Sequence, residues 1–149
     1  MSDDLLRIPF VQFLGIRRGG TPGALRLSFR PEFANHLGQW AAGIGFSLAE
    51  AAGGDFLLQR FPQYAGRVLP LLREARVRWR RPASGPELDT VVDTEVGVLE
   101  GFEQRLRQRR RATVNLRITV RDGGVAVLEG DFQWHVTMTD NARHEPHER

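Results

Sequence analysis

Between Ala41 and Gly54 the chain carries a single charged residue, Glu50, in a run otherwise made of Ala, Gly, Ile, Phe, Ser and Leu. A carboxylate in apolar surroundings costs several kcal/mol to keep ionised unless it is paired, or else its pKa rises. Two readings follow. Glu50 reaches an arginine or a backbone N–H and is structural, or it is a general base or nucleophile at the edge of a cleft. Just ahead of it, Asn35-His36-Leu37-Gly38-Gln39-Trp40-Ala41-Ala42-Gly43 places amides and an imidazole near the start of the same segment. If that segment is a helix, the free backbone N–H groups at its start can polarise a carbonyl or stabilise an oxyanion. The alternative is a polar loop in which Asn35 and His36 only satisfy backbone groups. Ser47, one turn before Glu50 on the same face, is placed to bond a substrate or to fill space. Gly45-Phe46-Ser47-Leu48-Ala49 departs from the G-x-S-x-G nucleophile elbow, and its helical setting argues against serine-hydrolase chemistry.

What is missing narrows the chemistry further. None of the 149 residues is cysteine, and all 21 basic residues are arginine. Thiol nucleophiles, disulfides, thiolate metal sites, Schiff bases and P-loop lysines are therefore excluded. The histidines at 36, 135, 144 and 147 have no compact ligand spacing, so no metal is assigned. The formal charge of +3 is a weak argument for nucleic acid. Arginines gather at 76, 78, 80 and 81 and again at 105, 107, 109, 110 and 111. They read first as a solvated face, the second group decorating a hairpin, and next as contacts for the phosphates of coenzyme A. Nucleic acid comes last, because aromatics do not interleave with them. The start of the chain is acidic and no apolar stretch reaches the roughly 18 residues of a membrane span, so a cytoplasmic protein is expected.

The elements that must position Glu50 can be read from periodicity. Asp3 or Asp4 caps a helix from about residue 5 to 14 that Gly15 ends, and Gly19, Gly20, Pro22 and Gly23 make a turn. A half-buried strand runs from Ala24 toward Pro31. The segment from Trp40 to about Arg60 is a helix apolar nearly all round, hence an internal one. Strands follow on the alternations Ala75-Val77-Trp79, Thr90 to Val98, Val114 to Val120 and, after the Asp122-Gly123-Gly124 turn, Val125 to Met138. This is an α+β fold of one domain over 1–140, a curved antiparallel sheet wrapped around a long buried helix, with a disordered polar tail at 141–149.

Asn35-x-x-Gly38-x-x-Ala41-Ala42-Gly43, continuing through Phe46-Ser47-Leu48-Ala49-Glu50, resembles the signature of hotdog-fold acyl-CoA thioesterases, especially the phenylacetate-pathway type. Arg80-Arg81-Pro82-Ala83-Ser84-Gly85 resembles that family's turn after a central strand, and the order of elements agrees from Leu25 to Met138. The resemblance implies hydrolysis of an acyl-CoA or acyl-carrier thioester, with no cofactor beyond the coenzyme A of the substrate. It implies Glu50 as base or nucleophile, Asn35 as the orienting amide, and the backbone N–H of Ala42 or Gly43 as the oxyanion site. It further implies a homodimer with the site at the interface, possibly a tetramer, so that Glu50 of one chain faces Asn35 and the helix start of the other. Trp40 and Phe46, with Phe56, are candidate walls of an acyl pocket that an ordinary core would use equally well, and Arg80 and Arg81 are candidate substrate contacts. Ala41 stands where the family has histidine, and Ala42 where it has the first glycine. That departure supports an alternative, an acyl-thioester binding protein that does not hydrolyse its ligand.

Overall fold

The computed structural model describes residues 4–140, so the expectation for the tail lies outside the described residues. Asp4 caps a single 3₁₀ turn, Leu5–Arg7, by accepting a bond from the Leu6 N–H at 3.0 Å. The helix expected from residue 5 then breaks at Ile8, because a residue before proline is pushed to extended backbone. A short helix α1 (Pro9–Leu14) restarts at Pro9 and ends on left-handed Gly15. Next come β1 (Arg17–Arg18) and β2 (Leu25–Ser28), then the 19-residue helix α2 (Ala42–Arg60). The edge strand β3 (Val68–Trp79) starts well before the predicted alternation at Ala75. It tolerates Pro70 because its other side has no partner strand among the described residues.

The region after β4 (Glu87–Asp93) corrects the sequence reading. Val96 and Val98, read as continuing a strand from Thr90, open a helix, α3 (Val96–Arg109), where both are exposed. The alternation of two valines was fortuitous. The decisive pattern is Leu99, Phe102 and Leu106, buried at helical spacing, with Phe102 packed 5.5 Å from Phe61 beyond the end of α2. Arg105, Arg107 and Arg109 therefore lie on a helix rather than a hairpin, Arg110 turns the chain with a φ of 59°, and Arg111 opens β5 (Arg111–Asp122). Left-handed Gly123 and Gly124 then form a two-residue hairpin turn into β6 (Val125–Met138).

The six strands form one antiparallel sheet in the order β1-β2-β4-β5-β6-β3. Leu116, Ile118 and Val120 of β5 and Leu128, Phe132 and Trp134 of β6 turn to one face and bury against Leu48, Ala49, Ala52 and Phe56 of α2. The other face carries charge ladders such as Arg121–Asp89 and Arg117–Asp131. Gly53 lets the helix approach, since a Cβ there would lie 2.5 Å from Trp134 Nε1 and 2.9 Å from its Cε2. The helix is not buried all round as expected. Ala42, Gly43 and Glu50 are exposed and Phe46 and Ser47 half-buried, at spacings of three to four residues, so one stripe of α2 is left open on the way to the edge strand.

Candidate functional site

A cavity of about 620 Å³ lies between three elements: the N-terminal segment, the second half of α2, and the start of β3. Leu5, Ile8, Val11 and Leu14 close one side, Ala51, Gly54 and Leu58 of α2 another, and Val68 to Leu72 the third, with Trp134 of β6 also in the wall. The lining is apolar except for Asp4, Arg7, Ser47 and Glu50. Its size falls in the ~300–1,000 Å³ range usual for small-molecule sites.

Glu50 keeps a solvent-exposed edge, yet the apolar walls remove enough water to raise its carboxyl above the ordinary value of 4.5. It makes no hydrogen bond or ion pair among the described residues, so the structural reading, a carboxylate satisfied by an arginine or backbone N–H, finds no partner here. Ser47 Oγ donates to the Gly43 carbonyl at 2.8 Å, a bond to the preceding turn that holds the hydroxyl against its own helix.

The helix start is built differently. Ala41 is its cap and offers no side-chain bond, while the Ile44 N–H already donates to the Ala41 carbonyl at 3.0 Å. Ala42 and Gly43 thus present N–H groups of the first turn at an exposed surface. Asn35 accepts from the Leu37 and Gln39 N–H groups at 2.9 and 3.1 Å through Oδ1, which fixes the loop, and its Nδ2 donates to no described residue. Trp40 is core: it stacks on Phe33, meets Phe29 edge-on, and donates from Nε1 to the Gly85 carbonyl at 2.8 Å. That bond, with Trp40 N–H to the Ala83 carbonyl at 3.0 Å, ties the Arg80 to Gly85 turn to the loop before α2. Phe46 packs 5.7 Å from Phe132 at the open stripe. Arg80 pairs with Glu129 at 2.8 Å, and Arg81 is exposed.

The cavity therefore gathers Ser47 and Glu50, while Asn35 and Trp40 lie in the loop before the helix, and Arg80, paired with Glu129, and Arg81 are not in its lining. Gly43 precedes Glu50 by seven residues, about 10 Å of helix rise. The reading from sequence missed the part of the wall made by Leu5, Val11, Val68 and Trp134, although the apolar spacing along the N-terminal segment was a usable signal.

No model of a known protein family matches the chain, and no curated protein matches it. Solved structures do. A protein of unknown function from Pseudomonas aeruginosa, named a "probable thioesterase", is 28% identical over 91% of this chain and 91% of its own, with a TM-score of 0.73. A Bacillus halodurans protein solved with CoA is 19% identical over 85% of this chain and 74% of its own, with a TM-score of 0.65. A mutant of the phenylacetic acid degradation protein of Thermus thermophilus is 19% identical over 86% and 98%, with a TM-score of 0.60. At that identity the last two speak for the fold alone. The antiparallel sheet around a central helix and these similarities show that the chain has the hotdog fold, which it shares over most of its length with the probable thioesterase of Pseudomonas aeruginosa.

Proposed function

We propose that the protein hydrolyses an acyl-CoA or acyl-carrier thioester, with Glu50 as the reacting carboxylate. The observation that carries this is Glu50 itself, an unpaired carboxylate with a raised pKa in the wall of an apolar cavity large enough for an acyl group. As general base, Glu50 takes a proton from water while the water oxygen adds to the carbonyl carbon; the C–S bond then breaks and the thiol leaves protonated. As nucleophile, its carboxylate oxygen adds to the carbonyl carbon and the C–S bond breaks, the thiolate leaving and taking a proton from water; water then cleaves the mixed anhydride to the free acid and restores the carboxylate. Either route develops negative charge on the carbonyl oxygen, and the Ala42 and Gly43 N–H groups are suited to stabilise it. Asn35 Nδ2, free of the loop, is suited to orient the same carbonyl or the water. Arg80 and Arg81, which begin the turn tied to Trp40, are the candidate contacts for the CoA phosphates.

The separation of Glu50 from Gly43 along one helix supports a site shared by two copies of the chain, each giving its carboxylate to the other's helix start. The surface for that pairing is present. Among the described residues the outer edge of β3 has no partner strand, Ala75 and Val77 are half-buried, Trp79 is 50% exposed, and Phe46 lies on the open stripe of α2. A homodimer joined there, with pairing into a tetramer as a further possibility, covers what the single chain leaves open. Among the described residues no helix is long and apolar enough to cross a membrane, and we place the protein in the cytoplasm with no membrane or nucleic-acid partner and no resident cofactor.

One observation favours a second reading, acyl-thioester binding without hydrolysis: Ala41 supplies no polar side chain at the helix start. Thiol release from a panel of short, medium, long-chain and aryl acyl-CoAs separates the two. Turnover of any member supports the hydrolase; saturable binding of CoA esters with no thiol release supports the binder.

A further inference from the structure

Glu50, Gly54 and Leu58 follow one another at intervals of four residues and all line the cavity, so it extends along α2 away from the carboxylate. From Glu50 to Leu58 the helix rises about 12 Å. That length holds an extended chain of roughly eight to ten carbons joined by bonds of about 1.5 Å. Of the α2 residues in the lining, the polar ones, Ser47 and Glu50, stand at one end of this path and Gly54 and Leu58 continue it without a polar group. At the middle of the path stands Gly54, the one glycine in the lining. A Cβ there would sit 3.3 Å from Leu5 Cδ1 of the N-terminal segment and 3.6 Å from Trp134 Cη2, so a longer side chain must project into the cavity or displace its walls. Leu5 itself is held in place through its neighbour. Asp4 beside it pairs with Arg18 at 2.8 Å, and Arg18 Nε donates to Asp55 at 2.9 Å, a carboxylate of α2 that is 1% exposed and also accepts the Gly23 N–H at 3.0 Å. The N-terminal segment is thereby held to the helix it roofs.

We propose that this channel takes the acyl group of a medium-chain thioester, and that Gly54, with Leu5 above it and Leu58 at its far end, sets the length accepted. The proposal rests on the thioesterase reading for its carboxylate end, whereas the channel is a property of the walls alone. Two measurements keep the two claims separate. The first compares kcat/KM for butyryl-, octanoyl- and palmitoyl-CoA in the native protein and in Gly54→Leu, with Leu58→Phe as a second way of filling the channel. Each methylene denied its seat is worth roughly tenfold or more. Native protein is expected to prefer octanoyl-CoA, and both variants to lose about 100-fold on it while staying within about threefold on butyryl-CoA. Loss of both substrates together in the two folded variants, or an unchanged length profile, overturns the proposal and leaves hydrolysis standing. The second measures binding of octyl-CoA, a thioether that cannot be hydrolysed, against CoA by calorimetry. Tighter binding of octyl-CoA by native protein, abolished in Leu58→Phe, supports the channel even if no thioester is turned over; equal binding of the two ligands by native protein overturns it.

Discussion

At the scale of residues, the account turns on a carboxylate that burial has made reluctant to ionise. Because its pKa is raised in the folded chain, Glu50 adds stability below the unfolded value, and that contribution is lost as pH rises through the folded value. Glu50→Gln does not titrate, so its melting temperature is expected to exceed that of the native protein at neutral pH, with the gap closing in acid; a variant less stable at neutral pH contradicts the desolvation argument. Activity has the opposite sign, since only the ionised form attacks or accepts a proton, and kcat/KM is expected to climb through a pKa above 4.5. Glu50 was legible in the sequence because a lone charge in an apolar run has few uses. Trp40 was not, since an aromatic residue in the loop before a helix looks the same whether it walls a pocket or, as here, donates to Gly85 and packs on Phe33.

At the scale of elements, two glycines of α2 make opposite predictions. A methyl group at Gly53 would press on Trp134 and Ile118, and Gly53→Ala is expected to destabilise the fold by about 1–3 kcal/mol in denaturant melts. A Cβ at Gly43 meets nothing within 4 Å, so Gly43→Ala is expected to be neutral or stabilising by up to about 1 kcal/mol, as helix propensity dictates. If the first-turn N–H groups hold the thioester oxygen, the same substitution lowers kcat, which separates site from scaffold. The Arg18–Asp55 pair makes a third test. Arg18→Met leaves a buried carboxylate with one N–H partner, and a loss of about 1–3 kcal/mol is expected in the same melts. Helix α2 and strands β5 and β6 were legible because they are long and bury one consistent pattern. Helix α3 was hidden by two valines at strand spacing and an arginine-rich surface, and the early start of β3 by a proline that only an edge position permits.

At the scale of the whole molecule, the described residues leave a strand edge, an open helix stripe and a Glu50 seven residues beyond Gly43 in α2, and the proposed dimer would bring a second copy to all three. Sedimentation of the native protein is expected to give a dimer or larger, and Val77→Asp, which puts charge on the half-buried end of β3, is expected to give a monomer that has lost thioesterase activity. The sequence could not show this surface, because its residues are ordinary apolar ones and only the sheet order reveals that no strand among the described residues covers that edge. The most direct test of the central claim is thiol release from the preferred acyl-CoA by native protein and by Glu50→Gln, which leaves the fold and the cavity in place. The account predicts turnover by the native protein and a loss of about 10²–10⁴-fold in the variant. Equal turnover by the two would contradict it and move the chemistry away from Glu50.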